Sequence, residues 1–129
     1  MSSLLKNYNR VHLKVQPCKY GRGVFADKEF VKGDLIEVCP VLLLSEHDIH
    51  MAWVAHSSML ERYYFDYDEK HSAIALGYGS LYNHSNNANA NYSSNTLDQE
   101  VVIYARKKIK KGSQIFINYG YNPVTKFKK

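Results

Sequence analysis

The chain has 129 residues, 45% of them hydrophobic and 22% charged, with a formal net charge of +5. That size suits one domain with its own core, and the apolar content argues against an intrinsically disordered chain. The longest apolar run, Val38 to Leu44 with Pro40 inside it, is far short of a membrane span, and Met1-Ser2-Ser3-Leu4-Leu5-Lys6 has no apolar leader, so neither a membrane helix nor a classical secretory signal is expected.

Residues 1–10 read as a short polar arm. Val11 to Val15 alternates apolar and polar residues, which suits a strand. Lys19-Tyr20-Gly21-Arg22-Gly23 reads as a turn, with a second strand starting at Val24-Phe25-Ala26. Val31-Lys32-Gly33-Asp34 is another turn. Leu35 to Leu44 reads as a long strand pair, with Pro40 at an edge or a bend. Ser45-Glu46-His47-Asp48 resembles a helix cap with an acid at the third helical position, and a helix over roughly 46–60 follows from it. Tyr63 to Tyr67 and Ala73 to Leu76 read as short strands, and Tyr78 to Asn83 as one helical turn. Glu100 to Arg106 and Gln114 to Tyr119 are β-rich runs around the turn Lys111-Gly112-Ser113. The sum is a mostly β domain with little helix and no internal repeat.

Charge is unevenly spread. Ten of the twelve acids lie between Asp27 and Glu69, whereas Arg106 to Lys129 holds eight basic residues and no acid. A basic stretch of this kind marks a nucleic-acid surface or a solvated basic tail, and no recognised nucleic-acid motif accompanies it. Two cysteines, Cys18 and Cys39, are expected as free thiols of a reducing compartment.

Three short motifs carry the chemistry. In Gly21-Arg22-Gly23 two glycines let the backbone approach a ligand closely. No long helix follows, so this is not a Rossmann or P-loop phosphate cradle, which needs a helix N-terminus after the loop. Asn83-His84-Ser85 offers an amide with two donors and an acceptor, suited to an amino-acid head group. It also fits a glycosylation sequon, as does Asn91-Tyr92-Ser93, but no secretory signal accompanies them. Ile117-Asn118-Tyr119-Gly120-Tyr121 is a strand ending in an aromatic turn.

In this order and spacing the motifs resemble the SET-domain protein-lysine methyltransferases, and most closely the compact stand-alone SET proteins of viruses and bacteria. The resemblance runs from about Val11 to Tyr121, so the expected organisation is an arm over 1–10, a SET domain over 11–121 and a basic tail over 122–129. It implies a β-clip fold of short strands and small sheets with one short inserted helical segment. It also implies a C-terminal pseudoknot that brings Tyr119 beside Asn83 and His84. It assigns S-adenosylmethionine contacts to Lys19, Tyr20, Gly21, Arg22, Gly23, Asn83, His84 and Tyr119, with His84 contributing main-chain contacts rather than acid–base chemistry. Tyr119 becomes the catalytic tyrosine, and Tyr63, Tyr78, Ile117 and Tyr121 line a channel for the substrate lysine. Aligning on Phe65 selects Tyr63 and aligning without a gap selects Tyr64; Tyr63 is preferred. Asn86 and Ala88 stand where the family pattern has Cys and Pro, while Asn89 is retained. With the family's C-terminal cysteine trio also missing, no structural zinc is expected.

The implied reaction is methyl transfer to a neutral lysine amine of a histone-like or other basic protein. Deprotonating a free lysine at neutral pH costs about 3–5 kcal/mol, and a desolvated aromatic channel beside a sulfonium cation lowers that cost. An aliphatic Ile117 two residues before Tyr119 leans towards di- or trimethylation. Glu61, Asp66, Asp68 and Glu69 flank the expected channel and suggest an acidic groove for a basic peptide. Two other readings stand beside this one. One is a catalytically silent SET-like peptide-binding module. The other is a small basic β-domain that binds nucleic acid through Arg106, Lys107, Lys108, Lys110 and Lys111. Cytoplasm and nucleus are both compatible with the sequence, and a homodimer that completes the site is compatible with the short C-terminal tail.

Overall fold

A computed structural model of the chain describes residues 11–54 and 64–120. The expected arm and tail, and the candidate channel residues Tyr63 and Tyr121, lie outside the described residues.

Strands β1 (Leu13–Cys18) and β2 (Gly21–Ala26) form an antiparallel hairpin with Leu13 opposite Ala26 and Cys18 opposite Gly21. The loop is therefore only Lys19-Tyr20. The segment Gly21-Arg22-Gly23, expected as part of the turn, instead opens the second strand. Gly21 absorbs the positive φ of +100° that the tight return demands. Beyond the hairpin, β2 runs alongside residues 112–115: Ala26 N–H donates to the Ser113 carbonyl (2.9 Å) and Ile115 N–H to the Val24 carbonyl (2.8 Å).

The main sheet has five strands in the order β4 (Tyr64–Asp66), β5 (His71–Ala75), β3 (Leu35–Ser45), β8 (Glu100–Ala105), β7 (Ala90–Asn95). The expected pair over Leu35 to Leu44 is one strand of 11 residues. Its first half pairs with β8 and its second half, from Val41, pairs with β5. Pro40 sits at the handover, where a missing N–H is tolerated and its carbonyl accepts Leu76 N–H at 2.9 Å. Strand β7 was not expected, because Ala90-Asn91-Tyr92-Ser93-Ser94-Asn95 is poor in β formers. Its pairing with the apolar β8, Ala90 opposite Ala105 through Asn95 opposite Glu100, imposes the conformation.

The sheet curls until its two edges meet. Phe65 of β4 packs against Tyr92 of β7 with ring centroids 4.8 Å apart, and the Tyr67 hydroxyl donates to the Asn95 carbonyl at 2.8 Å. The curl encloses a core that includes Val24, Phe30, Val101, Ile103, Ile109, Ile115 and Ile117. Each fully buried aliphatic side chain there contributes about 1.5–3 kcal/mol of transfer free energy.

Helix α1 (Glu46–Val54) starts where the sequence placed it. Ser45 Oγ accepts Asp48 N–H (3.1 Å) and Asp48 Oδ2 accepts Ser45 N–H (2.8 Å), a reciprocal cap with Asp in place of Glu. The expected extension towards residue 60 lies outside the described residues. A 3-10 turn (Gly79–Leu81) leads into β6 (Asn83–His84), which pairs with β9 (Phe116–Ile117) in parallel, Asn83 opposite Phe116 and His84 opposite Ile117. Among the described residues, no helix is long and apolar enough to cross a membrane.

Candidate active site

The parallel pair β6–β9 joins motifs that are more than thirty residues apart in sequence. Ile115 and Ile117 alternate into the core, both fully buried, and this period places Tyr119 on the same side, packed against the core. Asn89 fixes where the strand enters. Its Nδ2 donates to the Gln114 carbonyl (2.9 Å) and its Oδ1 accepts Phe116 N–H (2.8 Å), so one side-chain amide stands in for two ladder hydrogen bonds.

At the far end of the strand, His84 and Tyr119 meet. The Tyr119 N–H donates to His84 Nδ1 at 3.0 Å, and the rings lie 5.0 Å apart. An Nδ1 that accepts carries no proton, so the imidazole is neutral with its hydrogen on Nε2, which donates to Asn86 Oδ1 at 3.0 Å. The Tyr119 hydroxyl donates to the Tyr82 carbonyl at 2.5 Å. That bond directs the hydroxyl proton at the Tyr82 carbonyl.

Asn83 ties the first motif to the other two. Its Nδ2 donates to the Arg22 carbonyl (2.8 Å) and to Gln114 Oε1 (2.9 Å), and lies 3.6 Å from Cys18 Sγ. Gly23 is buried beneath this cluster, where an added Cβ would collide with the Gln114 side chain and stand 3.0 Å from Asn83 Nδ2. Tyr20, exposed at the hairpin loop, meets Phe116 edge-on at 6.2 Å, and Lys19 Nζ lies 5.1 Å from the Tyr20 ring centroid. Lys19, Tyr20, Gly21, Arg22, Gly23, Asn83, His84 and Tyr119 therefore form one continuous neighbourhood.

Of the expected channel residues, Tyr78 and Ile117 are described. Tyr78 is half-buried at the start of the 3-10 turn and packs against the core. Ile117 is fully buried and belongs to the core behind the Tyr119 strand. In the suggested acidic groove, Asp68 is engaged in its own turn, accepting Lys70 N–H (2.8 Å), His71 N–H (2.8 Å) and His71 Nδ1 (2.9 Å). These donors hold its carboxyl below the usual carboxylate range, the Lys70 backbone N–H foremost.

Sequence reasoning missed Gln114 and Glu37, and gave Tyr82 only as a further aromatic near the site with core packing as its role. Gln114 directly precedes the Ile115–Tyr119 run, but nothing local shows that its side chain reaches Asn83. Cys18, half-buried beside them, and Cys39, fully buried, are free thiols.

A curled β domain, a parallel two-residue clip and an Asn-His pair against a strand-end tyrosine define the class. The SET-domain family profile matches residues 21–120, and the chain belongs to that family, the SET-domain protein-lysine methyltransferases. Among its relatives is the fission yeast (Schizosaccharomyces pombe) protein described as a histone-lysine N-methyltransferase specific for H3 lysine-37. It is 29% identical over 100 residues, covering 78% of this chain and 67% of that protein. A crystal structure from Plasmodium falciparum, described as a candidate histone methyltransferase, superposes with a TM-score of 0.73 at 26% identity, covering 88% of this chain and 97% of that one.

Proposed function

We propose that this protein transfers methyl groups from S-adenosylmethionine to the side-chain amine of lysine in a basic, histone-like protein. The observation that carries the reading is the convergence of Tyr119, His84, Asn83 and the Gly21–Gly23 strand edge on one neighbourhood.

The donor set suits the amino-acid end of that cofactor. The Arg22 carbonyl and Asn83 Oδ1 are acceptors for an ammonium, and exposed Lys19 and Arg22 supply positive charge for a carboxylate. When bound, S-adenosylmethionine supplies an electrophilic methyl on a sulfonium. The rest is work for the chain's own groups. The Tyr119 oxygen, fixed by the Tyr82 carbonyl, accepts from the substrate amine and holds it in line. His84 keeps the Tyr119 backbone in register. No carboxylate–histidine pair faces Tyr119 among the described residues. That is consistent with an amine whose proton leaves to water, its pKa lowered by desolvation.

The relatives support a histone-like substrate, and the exposed Asp66 supports a basic one. The test is calorimetry with S-adenosylmethionine followed by methyl transfer to histone peptides read by mass spectrometry. Binding with transfer to lysine, beyond one methyl if an aliphatic Ile117 governs product degree, is the expected result. Binding without transfer to any lysine peptide would favour the peptide-binding module instead.

A further inference from the structure

Glu37 belongs to none of the motifs, yet it is 3% exposed in the middle of the fold. The β3–β8 register slips between Leu35 and Glu37, and such a bulge redirects the side chain that follows it. The redirected carboxylate is gripped twice. Oε2 accepts Tyr78 N–H at 2.9 Å and Oε1 accepts the Tyr82 hydroxyl at 2.7 Å.

Those two donors bracket the 3-10 turn Gly79–Leu81, so one carboxylate clamps both ends of the turn that delivers Asn83. The approach depends on Gly77, at φ +66°, where a Cβ would stand 2.5 Å from Glu37 Oε2. The carbonyl of Tyr82, the residue whose hydroxyl Glu37 holds, is the acceptor for the Tyr119 hydroxyl. Burying a carboxylate is costly, and a well-packed apolar residue would stabilise the fold as well or better. What an apolar residue cannot do is fix the orientation of Tyr82.

We propose that Glu37 is a positioning residue that acts through Tyr82 to set the Tyr119 hydroxyl in its reactive orientation. The proposal rests on the reading of Tyr119 as the catalytic tyrosine. Glu37→Gln tests it, because an amide offers one acceptor oxygen where the carboxylate offers two. Tyr82→Phe deletes the hydroxyl and keeps both ring and carbonyl, and it carries the test if Glu37→Gln fails to fold. Glu100→Gln is the control: Glu100 is 1% exposed in the same sheet and bonded to Asn95.

The direct readout is the 13C resonance of the Tyr119 hydroxyl-bearing carbon in tyrosine-labelled protein, assigned by its loss in Tyr119→Phe. Glu37→Gln and Tyr82→Phe should each move it, and Glu100→Gln should not. In the methyl-transfer assay each of the first two should lower kcat about tenfold at unchanged KM for the peptide, the size of one orienting hydrogen bond. Both effects should vanish in a Tyr119→Phe background. A Tyr119 resonance that stays in place, or kcat losses that add to that of Tyr119→Phe, would overturn the proposal. If the wild type transfers no methyl group, the catalytic reading fails by itself, and the resonance alone decides whether Glu37 orients Tyr119.

Discussion

Replacing Asn83 separates hydrogen-bond chemistry from shape. The Asn83 amide nitrogen donates to two oxygens, the Arg22 carbonyl at 2.8 Å and Gln114 Oε1 at 2.9 Å. Asn83→Ala removes both bonds. At a net contribution of about 1 kcal/mol each, discounted because the residue is only half-buried, the loss is about 1–2 kcal/mol. In a chain of 129 residues, 1 kcal/mol moves Tm by about 4 °C, so a drop of about 4–8 °C is expected. Asn83→Asp keeps the shape but points a carboxylate oxygen at two acceptors. Even if the Gln114 amide turns over to donate, the Arg22 carbonyl faces the carboxylate without a hydrogen between them. The expected cost at neutral pH rises to about 2–4 kcal/mol, a Tm drop of about 8–16 °C. Thermal unfolding followed by circular dichroism gives the order wild type, Ala, Asp. Calorimetry on the same samples should show weakened S-adenosylmethionine binding in both variants. An Asp variant as stable as the Ala variant, or more so, would refute this account of how Asn83 joins the first motif to the other two.

Three further outcomes follow from the geometry. Tyr119→Phe should leave the fold within about 1 kcal/mol of wild type and lower kcat by about 100-fold or more, measured with a lysine peptide under saturating cofactor; full turnover would remove Tyr119 from the chemistry. Gly79→Ala would place a methyl 2.5 Å from Ala75 Cβ and 2.8 Å from Cys39 Sγ, and this overpacking should cost about 1–3 kcal/mol in chemical denaturation. Burial raises the Glu37 carboxyl above the ordinary carboxylate range, against the opposing hydrogen bonds from Tyr78 and Tyr82. The native state therefore holds this proton more tightly than the unfolded chain, and the stability it brings is complete below the unfolded value and lost as pH rises through the folded one. Glu37→Gln cannot ionise, so its stability relative to wild type should improve as pH rises above the ordinary carboxylate range in urea titrations; a pH-independent difference would contradict the shift.

Much of this protein is written locally. The Ser45–Asp48 cap, the Val31–Asp34 and Lys111–Ser113 turns, and the β-rich runs around Glu100 and Gln114 all appear where residue types and periodicity placed them. They depend on groups a few residues apart. The order of the three motifs was enough to name the family, because motif spacing survives in the sequence itself. Other features depend on partners far along the chain. Strand β7 exists because β8 pairs with it, despite the poor β propensity of Ala90–Asn95. Pro40 sits inside a central strand because that strand changes partners at that residue. Gln114 reaches Asn83 across 31 residues, and Glu37 reaches Tyr82 across 45. No periodicity signals such contacts: a buried carboxylate and a turn tyrosine look unrelated until a bulge turns one towards the other. The sequence alone determined the fold family and the order of its motifs; only the tertiary structure decided how the Tyr119 hydroxyl is held, because that depends on a hydrogen-bonded path between segments that meet only in the folded chain.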